Sequence, residues 1–139
     1  MQKKFDFLVI GSGIAGLSYA LKVAEHGKVL IITKANEDET NTKYAQGGIA
    51  AVWDEHDNFE KHIEDTFNAG ANLCDEEAVR TVVTQAPARI KELMEMGTSF
   101  DKTSSGEFDL AKEGGHSEHR ILHYKDATGR EIERALLKK

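Results

Sequence analysis

The first 33 residues contain two short, continuous apolar runs with one amphipathic segment between them. Phe5–Ile10 reads FDFLVI and Lys28–Thr33 contains VLII, and runs of this kind are typical of buried parallel strands. Between them, residues 14–26 carry apolar side chains at helical spacing, and Gly27 follows as a helix stop signal. The pattern predicts a strand, a helix and a second strand, joined by a right-handed crossover.

Two further apolar stripes predict helices in the middle of the chain. The first covers Asp57–Gly70, where Asp57 and Glu60 stand at capping-box spacing. The second covers Asp75–Met96 and has the clearest amphipathic pattern in the sequence. Pro87 lies inside this second stripe, and proline removes a backbone donor, so the sequence predicts a kinked or split helix there.

The remaining segments are polar and rich in turn residues. Lys34–Tyr44 has no apolar period and is predicted to be a loop. Thr98–Asp109 is predicted to join two short strands, and Arg120–Tyr124 to form another short strand. Thr128–Glu131 reads as a capping box that begins a final helix near the end of the chain.

Composition and charge exclude several functional classes. The chain has 139 residues, 40% hydrophobic and 30% charged, which is typical of a globular protein. Its net charge of −6 argues against a nucleic-acid partner, and no apolar run reaches the roughly 20 residues of a membrane span. The single cysteine, Cys74, cannot form an internal disulfide. These features predict a soluble cytoplasmic protein.

A glycine-rich turn stands where the first strand meets the first helix. Residues 11–16 read GSGIAG and match the pattern G-x-G-x-x-G in its meaningful context, directly after a strand and at the start of a helix. Gly11 permits the tight turn, Gly13 lets backbone approach a pyrophosphate, and Gly16 lets helix and strand pack closely. The turn predicts a dinucleotide site at the helix N-terminus, and the alternative is a turn without a ligand.

The acidic residue that usually binds the ribose is missing from the end of the second strand. Thr33 and Lys34 stand there instead, and Glu37 to Glu39 follow slightly later. Lys34 would suit a 2′-phosphate, so NADP is an alternative ligand. The turn alone does not choose between FAD and a nicotinamide cofactor.

Several longer blocks carry a resemblance to a known family. GSGIAGLSYA, ITK, NTKYAQGGIAAV, KEGGHSEHRILH and DATGREIE together resemble the amino-terminal part of the succinate dehydrogenase and fumarate reductase flavoproteins, in the branch that oxidises L-aspartate. The resemblance implies an α/β fold, with a Rossmann-like FAD-binding βαβ unit followed by the start of a helical or α+β capping region. Residues 1–56 would be the amino-terminal part of the FAD-binding domain. Residues 57–139 would add further helices and part of the substrate site, in a truncated chain.

The same resemblance implies an activity and its partners. It implies FAD-dependent oxidation of L-aspartate to iminosuccinate, the first step of de novo NAD biosynthesis, with oxygen or fumarate as electron acceptor. Quinolinate synthase, which uses the product, is a candidate partner. A truncated chain would be inactive on its own. The alternatives are a soluble fumarate reductase or succinate dehydrogenase flavoprotein subunit, and a free-standing dinucleotide-binding module.

The resemblance also implies a set of cofactor-binding residues. The pyrophosphate would bind the glycine turn, and Thr33 and Lys34 match the family's own departure from the usual acidic residue. Asn41 replaces a histidine that bonds covalently to FAD in membrane-bound members, which implies a non-covalent flavin. The full set is Gly11, Ser12, Gly13, Ile14, Ala15, Gly16, Thr33, Lys34, Asn41, Thr42, Lys43, Tyr44, Ala45, Gln46, Gly47 and Gly48.

Substrate contacts are expected in the block KEGGHSEHRILH. Glu113 matches a family position that orients the substrate amine, and the alternative is an exposed loop charge. His116 and Arg120 would reach a dicarboxylate, with purely structural hydrogen bonds as an equal alternative.

The histidines of the chain are not expected to bind a metal. The spacing of His116, His119 and His123 would suit a metal only on a helix, and Gly114-Gly115 argues against a helix, so no metal is expected. Three other histidines are expected on solvated faces: His26, His56 and His62.

Overall fold

The computed structural model describes residues 3–139, so the first two residues of the predicted domain 1–56 lie outside the described residues. Its nine elements follow one another as β1 (Phe7–Ile10), α1 (Ile14–Val23), β2 (Val29–Ile32), β3 (Ile49–Ala50), α2 (Phe59–Ala69), α3 (Glu76–Glu95), β4 (Leu110–Ala111), β5 (Ile121–Leu122) and α4 (Thr128–Lys138).

The predicted βαβ unit is confirmed. Strands β1 and β2 pair in parallel, from Phe7 opposite Val29 to Ile10 opposite Ile32. The expectation that both strands are buried is wrong, because Leu8 is 60% and Ile10 79% exposed. Helix α1 packs on one face of the pair, the face on which Val9 is buried. The other apolar face is open to solvent, as expected for two strands with one helix.

A second, antiparallel sheet has the strand order β3-β5-β4. Strand β5 confirms the prediction for Arg120–Tyr124, and a single bridge between Lys102 and Phe108 lies inside the segment predicted to join two strands. Strands β3 and β4 have two residues each, too few for a periodic signal. The sheet joins residues before and after position 56, and the boundary proposed there stays a prediction.

Helices α2 and α3 confirm the two apolar stripes, but two details differ from the prediction. Asn58, not Asp57, caps α2 by accepting a hydrogen bond from the Lys61 amide at 2.9 Å. Helix α3 runs through Pro87 without a break, so of the two predicted outcomes a split helix is wrong and a kink stays a prediction. Val83 and Ile90 are buried on either side of Pro87, and their packing offsets the lost backbone hydrogen bond.

Helix α4 is confirmed, whereas its predicted capping box does not form. The Thr128 hydroxyl accepts a hydrogen bond from the Tyr124 amide at 3.0 Å, and the Glu131 carboxylate accepts one from the Ser99 amide at 2.9 Å. Both side chains therefore bond neighbouring segments rather than the free amides at the start of their own helix. Among residues 3–139, no helix has both the length and the apolar character that a membrane crossing requires.

The core consists of two clusters of buried apolar side chains. In the first, α1, α3 and α4 meet through Leu17, Leu93, Ile132 and Leu136. In the second, α3 packs against the small sheet and its flanking segments through Ala51, Ile90, Phe100 and Leu122. Helix α4 is thereby fixed next to the βαβ unit, and the small sheet next to α3.

Candidate functional site

The glycine turn between β1 and α1 can be built only with glycine at two of its positions. Gly11 has φ +102°, a left-handed conformation that side chains disfavour. A Cβ atom on Gly16 would overlap the Gly11 carbonyl oxygen and would lie 3.4 Å from Val9 Cγ1. The predicted role of Gly16, close packing of helix on strand, is what the structure shows.

The N-terminus of α1 presents unused backbone donors. Gly13 is its N-cap and provides no side-chain cap, and the Ile14 amide donates to Thr42 Oγ1 at 3.1 Å. Within the described part of the chain, the amides of Ala15 and Gly16 have no acceptor. Free amides and the positive end of the helix dipole together favour a bound anion such as a diphosphate.

A cleft of about 630 Å³ opens in front of this helix end. It lies beyond the carboxyl ends of both parallel strands, where α/β sheets usually bind ligands. Its volume lies in the range of small-molecule sites, roughly 300–1,000 Å³. The lining residues come from the turn, from the end of β2 and from the following loop: Ile10, Gly11, Ser12, Gly13, Ile32, Thr33, Lys34, Glu39, Thr40, Asn41 and Thr42.

Part of the expected cofactor set lies elsewhere, and part of the lining was not expected. Ile14, Ala15 and Gly16, in the first turn of α1, are not among the lining residues of the cleft, and neither are residues 43–48. Ile10, Ile32, Glu39 and Thr40 line it without having been singled out. Ile10 and Ile32 are the last residues of β1 and β2. Their place at the cleft could have been inferred from the ends of the two apolar runs in the sequence.

We call residues 38–44 the cofactor loop, because four of them line the cleft: Glu39, Thr40, Asn41 and Thr42. Lys43 Nζ lies 2.7 Å from Asp38 Oδ2 and 2.8 Å from Glu39 Oε1. Hydrogen bonds from Lys43 and from the Tyr44 hydroxyl lower the pKa of Glu39. Lys43 and Tyr44 therefore hold Glu39, which supplies an acidic group to the cleft even though none ends β2.

Gly47 and Gly48 lie close to two different parts of the chain. A Cβ atom on Gly48 would overlap Ile121 Cγ2 and the Leu122 carbonyl oxygen, so Gly48 lets the backbone approach β5. A Cβ atom on Gly47 would meet only Glu113 Oε1, at 3.6 Å. The structure thus brings the exposed carboxylate of Glu113 next to Gly47, one of the expected flavin-lining residues.

Arg120 is fully buried between two carboxylates. Its guanidinium binds Asp57 with two hydrogen bonds of 2.8 and 2.9 Å and Asp65 with one of 2.5 Å. With 0% of its side chain exposed, it offers no surface to a substrate carboxylate. The structure therefore favours the structural alternative for Arg120, as a link between α2 and the segment that precedes β5.

The expectation that His62 lies on a solvated face is wrong, since it is only 7% exposed. Its ring packs edge-on against His116, with centroids 6.0 Å apart. Burial, together with the nearby charges of Arg120 and His116, lowers the pKa of His62.

The other histidines of this block contact different partners. His119 Nδ1 lies 3.0 Å from the Leu110 carbonyl oxygen, and His123 Nδ1 lies 3.5 Å from Asp101. No group of three or more His, Cys, Asp or Glu side chains in the 3–139 segment is arranged to hold a metal ion.

Asp65 should contribute to stability in a pH-dependent manner. Burial would raise its pKa, but hydrogen bonds from the Ser117 amide and hydroxyl and from Arg120 lower it to about 2. Because the folded-state pKa is depressed, the stabilisation is complete above pH 4 and is lost as the pH falls towards 2. We expect Asp65→Asn to flatten the stability profile of the whole protein between pH 4 and 2, as measured by urea unfolding. An unchanged slope would contradict this assignment.

The fold and the cleft together define a dinucleotide-binding domain. Residues 6–139 match the family model of the FAD binding domain, and the chain belongs to this family. The prediction of FAD rather than NADP is thereby confirmed.

Comparison with individual proteins shows which kind of FAD-binding protein the chain is similar to. The chain is 62% identical to L-aspartate oxidase 2-a, chloroplastic, of Nicotiana tabacum over 96% of its length and 21% of that protein. It is 49% identical to L-aspartate oxidase of Vibrio cholerae over 94% of its length and 25% of that protein. The resemblance read from the sequence blocks is confirmed, and the chain spans about a fifth to a quarter of the length of these relatives.

Solved structures agree with the fold. The E. coli quinol fumarate reductase subunit FrdA superposes with a TM-score of 0.89 at 30% identity, covering 99% of this chain and 24% of that one. A Mycobacterium smegmatis Sdh1 complex gives a TM-score of 0.86 at 34% identity, covering 95% and 23%. Both cover nearly all of the chain, so the α/β fold predicted from the sequence is confirmed.

The predicted cytoplasmic location is wrong. Relatives from tobacco, rice and Arabidopsis, at 59–62% identity, are chloroplastic L-aspartate oxidases. Composition and a single cysteine indicate a reducing compartment only, and they do not distinguish the cytoplasm from others of that kind.

Proposed function

We propose that the whole protein oxidises L-aspartate to iminosuccinate with FAD, the first step of de novo NAD biosynthesis. The electron acceptor is oxygen or fumarate, and quinolinate synthase is the partner that takes the product. One observation carries this proposal: the Glu113 carboxylate adjoins Gly47, in a chain that is 62% identical to a plant L-aspartate oxidase. The other reading, a fumarate reductase or succinate dehydrogenase subunit, rests on relatives of 30–34% identity.

The residues present fit an FAD diphosphate. The open amides of Ala15 and Gly16 and the α1 dipole suit its negative charge, and the glycines leave room for close approach. The proposed diphosphate contacts are therefore Gly11 to Gly16. Thr33, Lys34 and Glu39 border the cleft on the side of β2 and are proposed to contact the adenosine ribose.

The flavin is proposed to be held without a covalent bond. Asn41 borders the cleft, and an amide is not a nucleophile that attaches a flavin in the manner of a histidine ring. The remaining cofactor contacts, residues 42–48, would lie along the ribityl chain and the ring. Gly47, which has no side chain, would let backbone lie against a flat ring.

The proposed reaction would transfer a hydride from Cα to the flavin and release a proton from the amino group of L-aspartate to water, which leaves a C=N bond. The bound flavin supplies the two-electron acceptor. Glu113 binds the substrate ammonium through a charge-assisted hydrogen bond and so orients Cα towards the ring. Succinate has no ammonium group, so this contact distinguishes the two dicarboxylates.

Glu113→Gln is expected to raise the KM for L-aspartate of the whole protein by about 10- to 100-fold, because a charge-assisted hydrogen bond is worth roughly 1.5–3 kcal/mol. Oxidation of succinate, if measurable, should change less than twofold. Steady-state kinetics with both substrates provide the measurement.

Glu118→Gln is the matched control, since Glu118 lies in the same segment and pairs with Lys61 at 2.6 Å. Its KM for L-aspartate should equal that of the wild type. A wild-type enzyme that turns over succinate and not L-aspartate would contradict the proposed function and favour the fumarate reductase alternative. Equal KM values for Glu113→Gln and the wild type would remove Glu113 from the site.

A further inference from the structure

The cofactor loop is fastened to a helix that lies more than eighty residues further along the chain. Glu133, in α4, is 2% exposed, and its carboxyl accepts a hydrogen bond from the Thr40 hydroxyl. The same hydroxyl accepts a hydrogen bond from the Lys43 amide at 3.2 Å. Thr40 thus joins the interior of α4 to the backbone of the cofactor loop.

A second contact brings the start of α4 against the same loop and against Ala45, the residue that follows it. The Gly129 amide donates to the Ala45 carbonyl oxygen at 3.0 Å. A Cβ atom on Gly129 would overlap the Thr42 carbonyl oxygen. Position 129 therefore needs glycine because the loop backbone lies directly on the helix.

The loop in turn closes the cleft over the glycine turn. Thr42 Oγ1 accepts the hydrogen bond from the Ile14 amide at 3.1 Å, and Thr40, Asn41 and Thr42 line the cleft. A displacement of residues 40–42 would therefore change both the wall of the cleft and the amide pattern at the end of α1.

Resting on the proposed FAD binding, we infer that Glu133 is a positioning residue for the flavin site, which holds Thr40 so that the cofactor loop keeps its binding shape. Glu133 does not line the cleft itself, whereas Thr40 does, so Glu133 acts on the cleft through Thr40. Thr40 is the only residue between positions 3 and 139 that hydrogen-bonds its carboxyl.

A residue that only filled space in the core would not need the carboxyl group that Glu133 carries. A buried carboxyl is costly unless it is hydrogen-bonded, and a leucine or methionine would fill the same volume without that cost. Burial raises the pKa of Glu133, and the hydrogen bond from Thr40 opposes that rise. Asp38, Glu39 and Lys43 are the charged groups of the loop that act on it.

The test is FAD affinity of the whole protein after removal and readdition of the flavin, followed by flavin fluorescence. Glu133→Ala should raise the Kd for FAD about tenfold, as expected for one lost hydrogen bond. Thr40→Val should raise it at least as much, because it also loses the bond from the Lys43 amide. Both variants lack the bond between Thr40 and Glu133, so the double variant should be no weaker than Thr40→Val alone. Glu133→Gln keeps an acceptor oxygen and should bind FAD within about twofold of the wild type.

Glu131→Ala is the matched control. Glu131 is buried in the same helix, but its carboxylate bonds Ser99 and Arg134, away from the cofactor loop. It should lower the urea midpoint and leave the Kd for FAD unchanged. If Glu133→Ala does not fold, Thr40→Val and Glu133→Gln decide the matter.

Wild-type affinity in Glu133→Ala or Thr40→Val, or losses in the two variants that add in the double variant, would overturn the inference. A wild-type protein that binds no FAD would overturn the proposed function as well. The two failures are therefore distinguishable.

Discussion

Replacement of Gly16 by alanine is expected to weaken FAD binding by about 100-fold. The added Cβ would overlap the Gly11 carbonyl oxygen, a backbone atom that cannot turn away as a side chain does. Overpacking of this kind costs about 1–3 kcal/mol, and the upper end corresponds to roughly 150-fold in affinity. Titration of the apoprotein with FAD measures the effect.

Gly114→Ala is the matched control, because it adds the same methyl group where no atom lies within 4 Å. Its FAD affinity should equal that of the wild type. Equal affinities for Gly16→Ala and Gly114→Ala would mean that the close approach of Gly16 to Gly11 is unimportant for the cofactor.

Replacement of Arg120 by methionine is expected to destabilise the fold by about 3–5 kcal/mol, the range for leaving a buried charge without its partner. Asp57 and Asp65 would lose the three hydrogen bonds that Arg120 donates to them, and Asp57 is almost entirely buried. Urea unfolding of the whole protein, followed by circular dichroism, measures the free energy of unfolding.

Arg80→Ala provides the comparison, since Arg80 pairs with Glu60 and Glu76 while its side chain is 46% exposed. An exposed pair contributes less than about 1 kcal/mol, so this variant should remain near the wild type. If Arg120→Met were as stable as Arg80→Ala but raised the KM for L-aspartate, Arg120 would belong to the substrate site after all.

The βαβ unit and the glycine turn were predictable from local sequence. The strand and helix periods are short-range signals, and the glycines have a steric reason that the structure confirms at Gly11 and Gly16. The cleft at the ends of β1 and β2 then follows from the rule that parallel strands present their carboxyl ends to ligands.

Long-range partners were not predictable in the same way. Asp57 has the spacing of a helix cap, yet it binds Arg120, which is 63 residues away. Thr128 and Glu131 have the spacing of a capping box, yet both bond other segments. In each case a tertiary hydrogen bond to a charged or buried group outweighs a local cap of about 1 kcal/mol.

The residues of the candidate site show the same difference between local signals and long-range contacts. Five residues of the turn and of the β2 end line the cleft as the sequence indicated, because adjacent elements fix them: Gly11, Ser12, Gly13, Thr33 and Lys34. The places of Glu39 and Thr40 in the cleft depend on the conformation of the cofactor loop. Lys43 holds Glu39 by an ion pair, and the distant Glu133 holds Thr40 by a hydrogen bond. No local period encodes such contacts.

The FAD content of the purified whole protein tests the central claim most directly. The account predicts one flavin for each chain, with a visible flavin spectrum, and release of free FAD on unfolding because no covalent bond holds it. A colourless protein that also fails to take up added FAD, while its Gly16→Ala variant behaves identically, would contradict the account.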